Sequence, residues 1–242
     1  MMFAERTSEV RSLWNEEDAA GFEGLLGQRV YTSRLLGREP SLILHGGGNT
    51  SVKLTEDDLF GQPRELLYVK GSGWNLASIE EAGFAPVRME VILRLAELEV
   101  LTDTEMARQL RAATVDPTAP MPSVEAILHA ILPSRFVDHT HPDALLSVMN
   151  TPSGRKRIED LYGDDIAVVP YVMPGFLLAR RCAVELPAKL GPKTAGVVLM
   201  HHGLFTFGDT ARESYERMID LVGRAEEYLQ EHESWTLDRE SP

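Results

Sequence analysis

Apolar positions along the chain recur at two periods, and the switches between them mark out the elements. From Thr7 to about Gly37, Val10, Leu13, Trp14, Phe22, Leu25, Leu26, Val30, Leu35 and Leu36 fall at spacings that helical packing explains. The pattern then shortens to strand-like runs at residues 41–44, 50–54 and 65–70, the second alternating Val52 and Leu54 with polar neighbours. Pro86 stands near the first position of a predicted helix running to about Val100, and Thr102 with Glu105 has the spacing of a capping box for the next. Residues 121–132 predict another helix, ended by Pro133, with Val124, Leu128 and Ile131 toward the core. Helical patterns follow at 142–149, 153–161 and 176–190, with a strand candidate at 166–171. The run Val197-Val198-Leu199-Met200 predicts a strand that carries His201 and His202. Residues 209–233 read as a long helix with Tyr215, Met218, Leu221, Val222, Ala225, Tyr228 and Leu229 on one face.

This alternation over 242 residues, with no repeat, low-complexity segment or long linker, predicts one α/β domain built on a single core. Residues 1–40 form its N-terminal helical segment, and the polar residues 234–242 are expected to fray. The formal charge of −13, from 24 Lys plus Arg against 37 Asp plus Glu, argues against a nucleic-acid partner, since no basic stripe is present to displace counterions. An anionic small molecule would need the field reversed locally by backbone N–H groups, a few basic residues or a metal. No apolar run is long enough for a membrane span or a secretory leader, and the single cysteine, Cys182, allows neither a disulfide framework nor a cysteine-rich zinc site. A cytoplasmic protein without a membrane partner is expected, whose metal chemistry would rest on histidine and carboxylate.

Those residues are present in a suggestive order. Val137-Asp138-His139-Thr140-His141-Pro142 places two imidazoles at i and i+2 at the end of an apolar segment, and on a strand such side chains leave from the same face. A second pair, His201-His202 before Gly203, also ends an apolar run, and one of the two would complete a three-histidine site with an open position. Strand alternation allows only one of these neighbours to reach the ion. Glu125 lies four residues before His129 on the helix leading to the first pair, either near the metal or in a solvated pair with His129. Two glycine-rich strand ends, His45-Gly46-Gly47-Gly48-Asn49 and Lys70-Gly71-Ser72-Gly73, could be plain turns or could turn N–H groups and a hydroxyl toward a phosphate. Neither is a Walker loop.

Taken together these segments resemble the class II aldolase/adducin family, over residues 46–208. Gly48-Asn49-Thr50-Ser51 is similar to its Gly-Asn-x-Ser segment, Gly71-Ser72-Gly73 to its phosphate loop, Pro122-Ser123-Val124-Glu125 to the helix start bearing its catalytic glutamate, and His139-x-His141 with His202-Gly203 to its zinc ligands. The wording Lys-Gly-Ser-Gly-Trp and Asp-His-Thr-His-Pro-Asp-Ala is most similar to the aldolase part of bacterial rhamnulose-1-phosphate aldolase/short-chain dehydrogenase fusions. No dinucleotide-binding half is expected within these residues, so the dehydrogenase activity is not.

The resemblance implies a three-layer α/β/α domain with a central, mainly antiparallel sheet. It implies a metal-dependent carbon-carbon lyase that cleaves a ketose 1-phosphate, such as rhamnulose or fuculose 1-phosphate, to dihydroxyacetone phosphate and an aldehyde. His139, His141 and His202 would hold Zn2+ or another divalent metal, Glu125 would exchange the proton, and Asn49, Ser72, Gly73 and Ser123 would hold the phosphate. Tyr171 is the candidate for the family's catalytic tyrosine. A homotetramer with the site at a subunit boundary is implied as well. Val124 departs from a common second phosphate-binding serine, and Lys70 from a common threonine. The related alternatives are a pentulose-phosphate 4-epimerase or a sugar-acid decarboxylase. An adducin-like interaction module is the alternative of another class, and retention of the three histidines with Glu125 weighs against it.

Overall fold

The strand that carries His139 is the middle strand of the sheet. The computed structural model describes residues 9–44 and 47–234. Among them, β1 (Asn49–Asp57), β2 (Pro63–Lys70), β3 (Phe84–Arg88), β4 (Phe136–Thr140), β5 (Ile166–Val169), β6 (Gly196–Leu199) and β7 (Gly203–Gly208) form a seven-stranded sheet in the order β3-β2-β1-β4-β7-β6-β5. Every pairing is antiparallel except β5 with β6. β4 is buried along its whole length.

Helices cover both faces, so alternate strand residues enter different cores. One layer holds α2 (Gly24–Gly37), α6 (Asp143–Met149), α7 (Gly154–Tyr162) and α9 (Ala211–Glu231), and receives Ile166, Val168, Val198 and Leu204. The other holds α3 (Met89–Glu97), α4 (Asp103–Ala113), α5 (Ala126–Ile131) and α8 (Phe176–Lys189), and receives Ala167, Val169, Val197 and Phe205. This is the expected three-layer α/β/α architecture with a mainly antiparallel sheet. Thr102 caps α4 by accepting from the Glu105 N–H at 3.2 Å, as its spacing predicted. The predicted apolar face of α9 is largely buried against the sheet, with Tyr228 only partly covered.

Several elements differ from the sequence reading. The N-terminal segment is broken into α1 (Glu16–Ala20), capped by the Asn15 side chain, and α2, whose first residue, Gly24, has φ +68°. Residues 41–44 are a turn and not a strand, with Leu42 and Ile43 buried and Leu44 exposed: the Leu42 and Ile43 N–H groups return to Glu39 O, and a short apolar run does not by itself distinguish the two. Pro86 lies in β3 and the helix starts only at Met89. β3 is an edge strand, where a residue without an N–H is tolerated. Residues 121–123 are extended, with Ser72 N–H donating to Met121 O and Ser123 N–H to Lys70 O, so α5 begins at Ala126 and Val124 is 49% exposed rather than facing the core. His201 and His202 stand in the turn between β6 and β7, a strand the hydrophobic pattern did not separate from the run before it. His45 and Gly46 of the glycine run, residues 1–8 and the tail from 235 lie outside the described residues.

The two sides of β4 differ in kind. On the α2 and α9 side, Asp138 and Arg29 form an ion pair at 2.6 Å with no solvent exposure on either side chain. Arg29 also donates to Thr32 and Ser33, and Ser214 donates to Asp138. Removing one partner leaves the other charge buried and uncompensated. Asp138→Ala should therefore destabilise the fold by about 3–5 kcal/mol. Arg29→Met with Asp138→Leu should recover most of that loss, both being read from urea unfolding.

Candidate metal centre and adjoining cleft

On the opposite face, His139 near the end of β4 and His141 just beyond it bring their rings to 4.7 Å between centroids. The turn after β6 supplies the third ring, His202, at 5.1 Å from His139 and 5.3 Å from His141. One ring nitrogen from each of the three lies within 4.8 Å of the others. Gly203 makes this approach possible: a Cβ there would meet Thr140 O at 2.4 Å and the His141 ring at 2.8 Å. His201 has φ +59°, and its Nδ1 lies 2.7 Å from Asn150 Oδ1, away from the cluster. The selection of His202 thus comes from a turn with a left-handed residue and not from strand alternation.

The protonation pattern suits a cation. His139 Nδ1 donates to Leu204 O at 3.0 Å, since a carbonyl only accepts, and this leaves Nε2 with its lone pair. Among the described residues that buried Nε2 has no hydrogen-bond partner, nor has His202 Nδ1. Burial pushes the His139 imidazole down to about 3 and lowers His141 as well, so both present neutral rings, the form that binds a metal. Phe205 stacks on His139 at 4.1 Å and closes that side from water. The residues fit a divalent ion.

Glu125 faces these rings from the start of α5, its carboxylate oxygens 3.5 Å from His139 Nε2 and 3.2 Å from His202 Nε2. Asn49, opposite His139 in the ladder, donates through Nδ2 to Glu125 Oε2 at 2.6 Å. Burial raises the Glu125 carboxyl, but the hydrogen bonds it accepts from His202 and Asn49 oppose this, and it lies below the ordinary carboxylate range. His129 is fully buried, so the solvated Glu125–His129 pair is excluded; Asn49 lies between the two side chains.

The Gly71-Ser72-Gly73 loop and the extended residues before α5 enclose a cleft of about 270 Å³ that Glu125 also lines. Asn49, Ser72, Gly73 and Ser123 all line it, together with Lys70. Gly73 has φ +88°, and Gly48 has φ +64° where a Cβ would meet His139 O at 2.8 Å, so both bends favour glycine. The Asn49 side chain is engaged with Glu125 and His129. Lys70 is buried beside the cleft, its pKa lowered by burial against the opposing pull of Glu125. Tyr171 is not brought to this group: it is half exposed in the loop after β5, its ring 6.1 Å from His201. The sequence reading missed His129 as part of the site, although its place between Leu128 and Ala130 in an apolar helix signals burial.

Comparison with known proteins finds similarity over most of the chain. The model of the family described as Class II Aldolase and Adducin N-terminal domain matches residues 28–229. The uncharacterized oxidoreductase YuxG of Bacillus subtilis (strain 168) is 37% identical over 220 residues, 91% of this chain and 32% of that protein. The chain thus spans about a third of that relative's length. Among solved structures, the N-terminal class II aldolase domain of a conserved protein from Thermoplasma acidophilum is 42% identical, with a TM-score of 0.81 over 91% of this chain and 99% of that one. An l-fuculose-1-phosphate aldolase from Thermus thermophilus, 18% identical, shares the fold with a TM-score of 0.54 over 87% and 96% of the two chains.

The cluster generates a sharp expectation. Protein purified without chelators should carry a divalent ion that His139→Ala, His141→Ala and His202→Ala each lose, while His201→Ala keeps it. Elemental analysis of the four variants checks this, and loss from His201→Ala with retention in His202→Ala would reverse the assignment.

Proposed function

The chain belongs to the class II aldolase/adducin family, and from that premise we propose that it is a zinc-dependent lyase. It would cleave a ketose 1-phosphate, such as rhamnulose or fuculose 1-phosphate, to dihydroxyacetone phosphate and an aldehyde. The observation that supports the reading is the ionised, buried Glu125 set between the three histidines and a cleft lined by Lys70, Ser72 and Ser123. Zinc held by His139, His141 and His202 would supply Lewis-acid chemistry, drawing electron density from the substrate's oxygens.

The remaining work falls to the chain's own groups. The Ser72 and Ser123 hydroxyls, the backbone N–H groups of the glycine loop and the Lys70 ammonium would bind the phosphate, a local positive field in an acidic protein. Holding the phosphate there would place the ketose carbons against Glu125. In the synthetic direction the Glu125 carboxylate accepts a proton from the carbon of dihydroxyacetone phosphate that will form the new bond. In cleavage it returns that proton to the fragment that keeps the bonding electrons. Phe205 and the buried rings exclude water from this transfer. Tyr171 would serve the aldehyde side only if its exposed loop were covered by another subunit. We propose a cytoplasmic homotetramer, supported by the exposed apolar side chains Met173, Leu177 and Val184 near that loop and on α8. The same carboxylate and histidines would equally serve a second reading, a 4-epimerase acting on a pentulose phosphate or a decarboxylase acting on a sugar acid.

Two measurements test the proposal. Glu125→Gln should keep its metal and fold but exchange the α-proton of dihydroxyacetone phosphate with solvent deuterium roughly 10²- to 10⁴-fold more slowly. Wild-type exchange in that variant would remove Glu125 from the mechanism. Ser72→Ala should raise KM for a phosphorylated ketose by roughly 10- to 100-fold, the effect of losing one hydrogen bond to a charged group. An unchanged KM, or failure of dihydroxyacetone phosphate to compete, would favour the non-phosphorylated sugar acid.

A further inference from the structure

The proton transfer assigned to Glu125 leaves a buried histidine beside it without a task. His129 sits on α5 with no solvent exposure. Its Nε2 is in hydrogen-bond contact with Asn49 Oδ1, and its Nδ1 lies 2.7 Å from the Ser51 hydroxyl. Asn49 in turn donates to Glu125 Oε2 at 2.6 Å. Asn49 and Ser51 are alternate residues of β1, so both side chains leave from one face and bracket the imidazole.

The polarity of this chain is fixed from the carboxylate end. An ionised carboxylate only accepts, so the Asn49 amide must turn its NH2 to Glu125 and its carbonyl oxygen to His129. That oxygen also only accepts, so His129 Nε2 must carry the ring proton. Burial pushes this imidazole down to about 3 and keeps it neutral, which makes Nδ1 an acceptor that the Ser51 hydroxyl satisfies by donating. Every link has one arrangement. Turning the amide over would set its oxygen against a carboxylate oxygen in a poorly solvated site.

We infer that His129 is a positioning residue: through Asn49 Oδ1 it holds the amide with its N–H on Glu125 Oε2, and so fixes the rotation of the carboxylate that moves the proton. This rests on the proposed role of Glu125. It also assigns the Asn49 side chain to Glu125 and not to the substrate's phosphate.

The experiment uses the metal-replete protein, with a readout independent of substrate first. Nitrogen NMR of histidine-labelled protein should show His129 neutral with its proton on Nε2. His129→Gln keeps an N–H near the position of Nε2, whereas His129→Leu keeps bulk and loses the donor. The leucine variant should lose about 10- to 100-fold in kcat, the span for a group that orients a functional side chain, with KM and bound metal unchanged. The glutamine variant should recover most of that loss, and His129→Leu added to Asn49→Ala should cause no further fall. A proton on Nδ1, equal losses in the two variants, or additive losses in the double variant would overturn the inference. If the leucine variant does not fold, the tautomer and the glutamine variant decide it. Absence of any α-proton exchange in the wild-type protein would sink the role of Glu125, and the tautomer would still decide the hydrogen-bond chain.

Discussion

The register of β4 between β1 and β7 is the constraint on which the rest of the molecule depends. Asn49, His139 and Phe205 lie in one row across three strands, and Thr50, Asp138 and Thr206 in the next. Neighbouring rows face opposite helix layers. The first row therefore gives His139 a hydrogen-bonding neighbour for Glu125 on one side and a stacked ring on the other. The second closes Asp138 on Arg29, with Thr50 against Ser33 and Thr206 donating to Ser214 O. A slip of one residue would turn Asp138 toward Glu125 and His139 toward Arg29. Desolvation offsets much of what a buried ion pair contributes to stability, so its larger effect here is on specificity, because the native register pairs these two charges.

Given that register, the site is completed by close approach of backbone. The β6–β7 turn must come near enough to β4 for His202 to join the other two rings, and Gly203 is where a side chain would collide with Thr140. On the other flank, Gly48 lies so close to His139 O that only a hydrogen fits, which lets β1 begin at Asn49 beside His139. The extended residues before α5 are tied to the loop after β2 by backbone hydrogen bonds, and this joins the glycine loop to the residue that starts the helix. Glu125 thereby faces the histidines and the cleft at once.

How much of this was legible followed from how local each signal was. His139 and His141 were readable because i and i+2 on a strand need no tertiary knowledge, and Glu125 because its helix runs directly into that strand. Capping at Thr102 and the stripe on α9 were equally local. The extent of α5 was not: residues 121–123 have helix-compatible side chains, and only the partners offered by Lys70 and Ser72 make them extended. Pro86 suits a first helical turn and an edge strand alike, and sheet position decides between them. The turn at His201 hid because Met200-His201-His202 continues an apolar strand in composition. His129 drew no role of its own, and a solvated pair with Glu125 stood as one of two readings, because four-residue spacing to a glutamate is ordinary on a helix and the burial of His129 depends on β1 and β7 packing against it.

Charge explains why these pieces are worth assembling in so acidic a chain. With 37 acidic side chains against 24 basic ones, the surface repels an anion almost everywhere. Inside the site burial keeps His139 neutral and Glu125 is negative, so a phosphate arriving at the bare protein would meet one more negative charge. Lys70 and the backbone N–H groups of the glycine loop offset this on one wall of the cleft. A divalent ion at the histidines would reverse the sign on the other, since a bound cation is the largest single charge in such a site. Under the proposed function the acidity elsewhere would become a source of discrimination: an anionic substrate would be favoured only where lysine, loop and ion acted together, and there the carboxylate would reach its carbon.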